Sequence, residues 1–421
     1  MNFVGMLGLP RVELEAMSFH HSFQIRSYLL HSEFLKNTDV GKGAVQRLAS
    51  DRRVQALENQ MLSLGNSAAR FEVDTLAVWY VWCLNMYGNE FADCQLESWL
   101  ACEEVEVLNS LWVLGLEAEK SFELGGGYSI QILADMPDSD EKEYFSKVDF
   151  NFLSRSTLPK CAITKKENIK KTRSHSPPGT NGLNDNFRES CQKLYELAFV
   201  LNSISGVTCV PHFQTAYRSS VTPVGHFGGS GGGSPLFDVS TMTTTKISPE
   251  SSSVVFEVFS AFRSKSAEER SRLQVVLSRL SQAKRRSQIE DQMLDLGIAL
   301  EMLLLQEKLN SELSLQFRIR GSWLLGQSFE ERIEINQLLK EIYDARSSVA
   351  HSGALYRSDL RKLELVRTNF SKYVALAEST VRKVIVDGSP CWDDVLLRGQ
   401  QVAPDRRYIK ELVRPKLDII D

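Results

Sequence analysis

The chain has 421 residues, 43% of them apolar and 24% charged, with a formal net charge of −4 and a pI near 6.1. That length exceeds what one hydrophobic core usually supports, so two or three domains are expected, and the balanced composition excludes a disordered chain. The mild acidity excludes a protein that coats nucleic acid through bulk positive charge, so any phosphate contact has to be local.

The seven cysteines, Cys83, Cys94, Cys102, Cys161, Cys191, Cys209 and Cys391, are odd in number and irregular in spacing. They suit reduced thiols in the cytoplasm rather than a disulfide framework, and without a C-x-x-C pair they offer no structural zinc site. No metal and no other cofactor is expected. The opening residues MNFVGMLGLPRVELE lack a basic n-region and do not read as a signal peptide. The run LAVWYVWCLNMYG is too short to span a membrane and carries Asn85, so it reads as a buried element.

Residues 1–262 are expected to form an α+β sensing or regulatory domain. Within it AVQRLASDRRVQALENQML and NFRESCQKLYELAFVLNSI have helical character, whereas GYSIQILADM, KVDFNFLS, TCVPHFQTAYR and SSVVFEVFSAF alternate or cluster β-branched and aromatic residues as strands do. Two stretches read as loops. One, near 165–185, is polar and rich in Pro, Gly and Ser; its Lys165, Lys166, Lys170, Lys171 and Arg173 could meet phosphates, but a solvated charge run is the simpler reading. The other, near 226–236, contains GGSGGGS, the composition of a flexible linker. It has no following Lys in the P-loop manner, so it is not a phosphate cradle.

From residue 263 to 390 the pattern is helical. Ser266 with Glu269 gives a capping-box signature, and the helix it opens carries Ile289, Met293, Leu296, Leu300 and Leu303 as one apolar stripe. A second helix is expected over SELSLQFRIRGSWLLG, and a third from near Phe329 to about residue 352, with Ile335, Leu338, Leu339 and Ile342 on its buried side. A fourth, over about 357–386, has Leu363, Val366, Phe370, Val374, Ala377, Val381 and Val384 along its seam. Four amphipathic helices with short connections make a bundle. A tail, residues 391–421, follows.

The third helix closes on IYDARSSVAHSG, where Arg346 and His351 precede Ser352 and Gly353, a helix C-terminal signal. Arg26 and His31 repeat the spacing, but no helix stop follows them and they read as structure. With LDLGIALE upstream and ELSLQFRIRGSWLLG between, the order of these pieces over about 266–386 resembles the ApeA-like branch of the HEPN superfamily. The resemblance implies an all-α HEPN four-helix bundle behind the α+β domain, and metal-independent RNA cleavage in antiphage abortive infection. It implies Arg346 and His351 as the catalytic pair, with Ser347, Glu301 and Tyr343 supporting them. RNA, a second copy of the chain and a phage-derived trigger are the implied partners, and no membrane is. Arg318, Arg320 and the basic run Lys284, Arg285, Arg286 are candidate contacts to the RNA backbone, or equally the solvated face of the bundle.

The chemistry of the residues fits. RNA carries its own nucleophile, the 2′-hydroxyl; a histidine trades protons near neutrality, and a guanidinium matches phosphate oxygens as charge builds on them. A helix C-terminus also favours a cation, which suits an acid role toward the leaving oxygen. Five residues turn an ideal helix by about 500°, leaving Arg346 and His351 roughly 140° apart around the axis. The helix therefore has to loosen at its end or a second protomer has to complete the site. On helix pattern alone, Arg346 pairs equally well with Asp344 or Glu341, and His351 caps the last turn. A catalytically silent HEPN module that dimerises or binds nucleotide, with a ligand-sensing N-terminal domain, is the competing reading. A metal-dependent hydrolase is not supported, since no H-E-x-x-H spacing occurs.

Overall fold

Exposed Glu104 and Glu106 alternate with buried Val105 and Val107 along the strand on which the first half of the chain is built. The computed structural model describes residues 37–64, 67–137, 142, 145–146, 158–174, 185–218, 232–233, 244–305, 312–356 and 359–397. It divides into two units, Met1–Phe199 with Val207–Phe256 and Val200–Gly206 with Glu257–Asp421. The described elements of the first are α1 (Asp39–Ser50), α2 (Arg52–Gln55), β1 (Met61–Leu64), β2 (Ser67–Arg70), α3 (Val73–Tyr87), α4 (Asn89–Ala101), β3 (Glu104–Leu114), β4 (Leu116–Glu117), β5 (Phe122–Gly125), β6 (Tyr128–Ile132), β7 (Cys161–Lys170), β8 (Thr172–Ser174), α5 (Asp185–Leu201), β9 (Val210–Arg218), β10 (Gly232–Gly233) and β11 (Thr245–Lys246). Then come α6 (Ser252–Ser264), α7 (Ala267–Arg285), α8 (Ile289–Leu304), α9 (Leu313–Leu325), α10 (Phe329–Ser352), α11 (Leu360–Asp387) and α12 (Trp392–Leu397).

The first unit is an α/β region around a six-stranded sheet in the order β10-β9-β3-β7-β6-β5, each neighbouring pair antiparallel. The aromatic run read as a buried element is α3, whose residues Leu76 to Val81 are all buried. The predicted strands GYSIQILADM and TCVPHFQTAYR contain β6 and β9, and NFRESCQKLYELAFVLNSI lies largely in α5. KVDFNFLS lies outside the described residues, as do Arg26 and His31.

Three expectations are corrected. SSVVFEVFSAF is α6, not a strand: Val255, Val258, Phe259 and Phe262, spaced as one helix face, are all buried, so the 3.6-residue period overrides the β-branched content. AVQRLASDRRVQALENQML is not one helix. Asp51 leaves the helical region, its carboxylate accepts the Arg53 N–H to start α2, and β1 begins at Met61. The basic stretch near 165 is not a loop at its start. Lys165, Lys166 and Lys170 lie on β7, and Arg173 on β8. Strand β3 presents acids to them: Lys170 pairs in register with Glu104, and Lys166 reaches Glu106 at 3.5 Å. Lys165 is bound to Glu167 at 2.8 Å, and Lys171 donates to the Trp99 carbonyl. Of GGSGGGS, Gly232 and Gly233 pair with β9.

The second unit is helical. Its core is built from Leu273, Val276, Leu277 and Leu280 of α7, Met293, Leu296, Leu300 and Leu303 of α8, Phe317 of α9, Leu339 and Ile342 of α10, and Ala377, Val381 and Val384 of α11. The expected first helix is two. Ser266 Oγ accepts the Glu269 N–H and opens α7, but Arg286 turns extended at ψ 144°, and α8 carries the predicted stripe. The second, third and fourth expected helices are α9, α10 and α11. No described helix is long and apolar enough to cross a membrane.

Candidate functional site

Helix α10 is fixed at both ends. Ser328 Oγ accepts the Glu331 N–H at 3.1 Å while the Glu331 carboxylate accepts the Ser328 and Gln327 N–H groups at 3.2 and 2.7 Å, a complete capping box. At the other end Gly353, at φ 68°, donates to the Val349 carbonyl and stops the helix. Ser348 and Ser352 hydroxyls donate to the Ala354 carbonyl at 3.1 and 2.9 Å and tie the last turn.

Arg346 leaves this helix toward α8. Its guanidinium meets the Glu301 carboxylate at 2.8 Å, with 28% and 21% of the two side chains exposed. A Cβ on Gly297 would lie 2.5 Å from Arg346 Cγ, so the absent side chain at 297 is what lets the arginine stem cross α8. Gly297 and Glu301 stand one helical turn apart, so one face of α8 supplies both the gap and the carboxylate. Burial raises the Glu301 carboxyl above its ordinary range, and Arg346 only partly offsets it. Arg346 Nε is buried without a hydrogen-bond partner among the described residues. Neither locally expected partner holds the arginine. Glu341 takes Tyr373 Oη at 2.7 Å and Gln337 at 2.9 Å, and Asp344 is exposed.

His351 is exposed in the last turn, and Ser347 is half-buried. Since α10 is α-helical through both Arg346 and His351, the two stand about 7.5 Å apart along the axis and roughly 140° apart around it. The helix does not loosen between them, so one chain presents them on different faces. Tyr343 packs its ring 5.5 Å from that of Phe317, a contact between α10 and α9.

The expected phosphate contacts separate. Arg320 is buried, donates to the Leu304 carbonyl at 2.9 Å and lies 5.0 Å from the Trp392 ring, so it caps α8 from within and is corrected to an interior residue. Lys284 is likewise interior, bound to Glu378 at 2.5 Å and to the Asn202 carbonyl at 2.6 Å. Arg286 joins Arg279 in holding Asp295, at 3.4 and 2.7 Å. Arg318, which donates to the Ser314 carbonyl at 3.3 Å, and Arg285 are half-buried at helix surfaces. Sequence reasoning missed Gly297, Asp295 and Glu378. For the first a signal existed, a glycine one turn before an acid on a helix face. Among the described residues no three His, Cys, Asp or Glu side chains gather in a way that could hold a metal.

Comparison with protein-family models finds no matching family, and neither a curated protein nor a solved structure matches the chain.

Proposed function

We propose that the chain is a metal-independent endoribonuclease of HEPN type, with α7 to α11 as its bundle and the α/β unit as sensor or restraint. The observation that carries the reading is Arg346 at the foot of α10, led through the gap at Gly297 to Glu301, with His351 exposed five residues on. In this reading the 2′-oxygen of RNA attacks its own phosphorus, the 5′-oxygen leaves with a proton, and the products are a 2′,3′-cyclic phosphate and a 5′-hydroxyl. His351 moves the proton. Arg346 exchanges Glu301 for the phosphate oxygens, where its planar fork neutralises the charge of the transition state. Because one helix cannot aim both groups at one phosphate, a second copy completes the site, and Arg285 and Arg318 hold the flanking backbone. Abortive antiphage defence, triggered by a phage product in the cytoplasm, is the role this activity serves.

Sequencing of RNA ends after induced expression tests chemistry and substrate together. Arg346→Ala and His351→Ala are each expected to lower cleavage by at least about 10²-fold, the range of a lost acid–base group, with unchanged circular dichroism. If the parent cleaves no cellular RNA with or without phage infection, or if both variants cleave as it does, the silent dimerising or nucleotide-binding module replaces this reading.

A further inference from the structure

The opposite end of α10 carries a feature that RNA cleavage does not use. A cavity of about 370 Å³ opens between α9 and α10, lined chiefly by Ile319, Ser322, Trp323, Phe329, Arg332 and Ile333. Phe329 is 71% exposed and Ile333 54%. The two stand one turn apart on α10, so they present an apolar ridge to solvent beside the Trp323 indole. Arg332 is turned down onto that indole, 3.8 Å from the ring centroid, and its Nε donates to the Gly326 carbonyl. Arg332 keeps its positive charge in the groove wall, but it is held down on the indole, and the two exposed acids Glu330 and Glu334 on the same helix outnumber it.

We infer that this groove is the docking site of the chain's own segment Arg406–Lys416. The segment reads RRYIKELVRPK: at helical spacing Tyr408, Ile409, Leu412 and Val413 would share one face, and Pro415 would end such a helix. Its charges are Arg406, Arg407, Lys410, Arg414 and Lys416 against the single acid Glu411, the complement of the acidic rim. The starting point is right as well. Trp392 and Val395 of α12 are buried, and the Trp392 ring lies against Arg320 of α9, so the chain sets out from beside the helix that forms one wall of the groove. Eight residues, 398–405, can reach at most about 27 Å, more than twice the roughly 10–12 Å diameter of a helix to be rounded. A cavity of this size takes anchoring side chains while the body of a short amphipathic helix lies across its mouth.

The test uses the full chain with the photoreactive residue p-benzoylphenylalanine in place of Tyr408. After irradiation, crosslinks are mapped by peptide mass spectrometry and sorted by gel mobility into one-chain and two-chain species. The expected result is a one-chain product joined to residues 319–337, lost in Phe329→Glu with Ile333→Glu. Both of those side chains are largely solvent-exposed, so the fold tolerates the pair. Crosslinks to other residues, or no crosslinks, overturn the assignment. So does a product found only in the two-chain band, which gives the groove to a second copy instead. The readout is independent of RNA cleavage.

Discussion

Glu301 on α8 and Glu378 on α11 each face a cation within the same helical unit, and the two pairs are built to different depths. Lys284 and Glu378 lie 2.5 Å apart with 6% and 2% of their side chains exposed. Around them the lysine also donates to the Asn202 carbonyl, the glutamate receives the Gly206 N–H, and Arg382 donates to the Ser203 carbonyl, while Glu378 Oε1 is met by the lysine charge alone among the described residues. The Arg346–Glu301 pair lies at 2.8 Å with a quarter of each side chain in water and the arginine Nε buried without an acceptor among the described residues. A closed pair is a joint that fixes residues 202–206 against α7 and α11. An open pair, a quarter in water, is one that solvent and solutes can reach, which is what the proposed function asks of Arg346. Depth, not the presence of an ion pair, is what distinguishes the two.

The sharpest way to break that contrast is to remove one partner of the closed pair. Glu378→Ala leaves the Lys284 charge uncompensated in the interior, and it is expected to lower unfolding free energy by about 3–5 kcal/mol. The double replacement Lys284→Met with Glu378→Leu removes both charges at similar volume and is expected to be near neutral. Denaturant midpoints of the single and double variants check this. Equal losses in both would mean that packing, rather than the uncompensated charge, carries the joint.

Next in size is the gap beneath Arg346. A glycine to alanine change inside a helix ordinarily stabilises by roughly 0.5–1 kcal/mol. At Gly297 the new Cβ would lie 2.5 Å from Arg346 Cγ and 2.6 Å from its Cβ, so Gly297→Ala is expected to lose about 1–3 kcal/mol through overpacking. The reversed sign is the diagnostic, read in the same denaturation experiment. If the proposed ribonuclease activity is the chain's own, cleavage by Gly297→Ala is expected to fall with the displaced arginine even where the folded fraction is restored.

What the sequence made legible follows the same division between local and distant. The spans of α9, α10 and α11, the buried stripe of α8 and the stop at Gly353 were readable, because apolar period and end signals are local. Arg346 and Glu301 were each legible as positions, but their pairing was not. Local spacing offered Asp344 or Glu341, and the acid that holds the arginine comes from another helix. Lys284 looked like a surface cation because its acid lies far along the chain on α11. Lys166 and Lys170 of β7 looked like a loop because the glutamates that face them belong to β3. In α6 a β-branched run hid a helical period that burial decided.

The smallest effect concerns Glu301 itself and asks how loosely the open pair is held. Its carboxyl is raised from the ordinary value of 4.5, burial being the larger cause and Arg346 the opposing one. A carboxyl raised on folding binds its proton more tightly in the native state. Its contribution is therefore complete below the unfolded value and is lost as pH climbs through the folded one. Glu301→Gln, fixed in the neutral form, is expected to flatten that part of the stability–pH curve while staying within about 1 kcal/mol of the parent at neutral pH, the range of a partly exposed pair. Thermal melts from pH 4 upward read the slope. A steeper curve, or a loss as large as that of Glu378→Ala, would put both pairs in one class. A flat one fits the proposed function, in which Arg346 turns to a phosphate and leaves behind a carboxyl that gives up little by losing it. That is the property required of a residue that positions a catalytic arginine without retaining it.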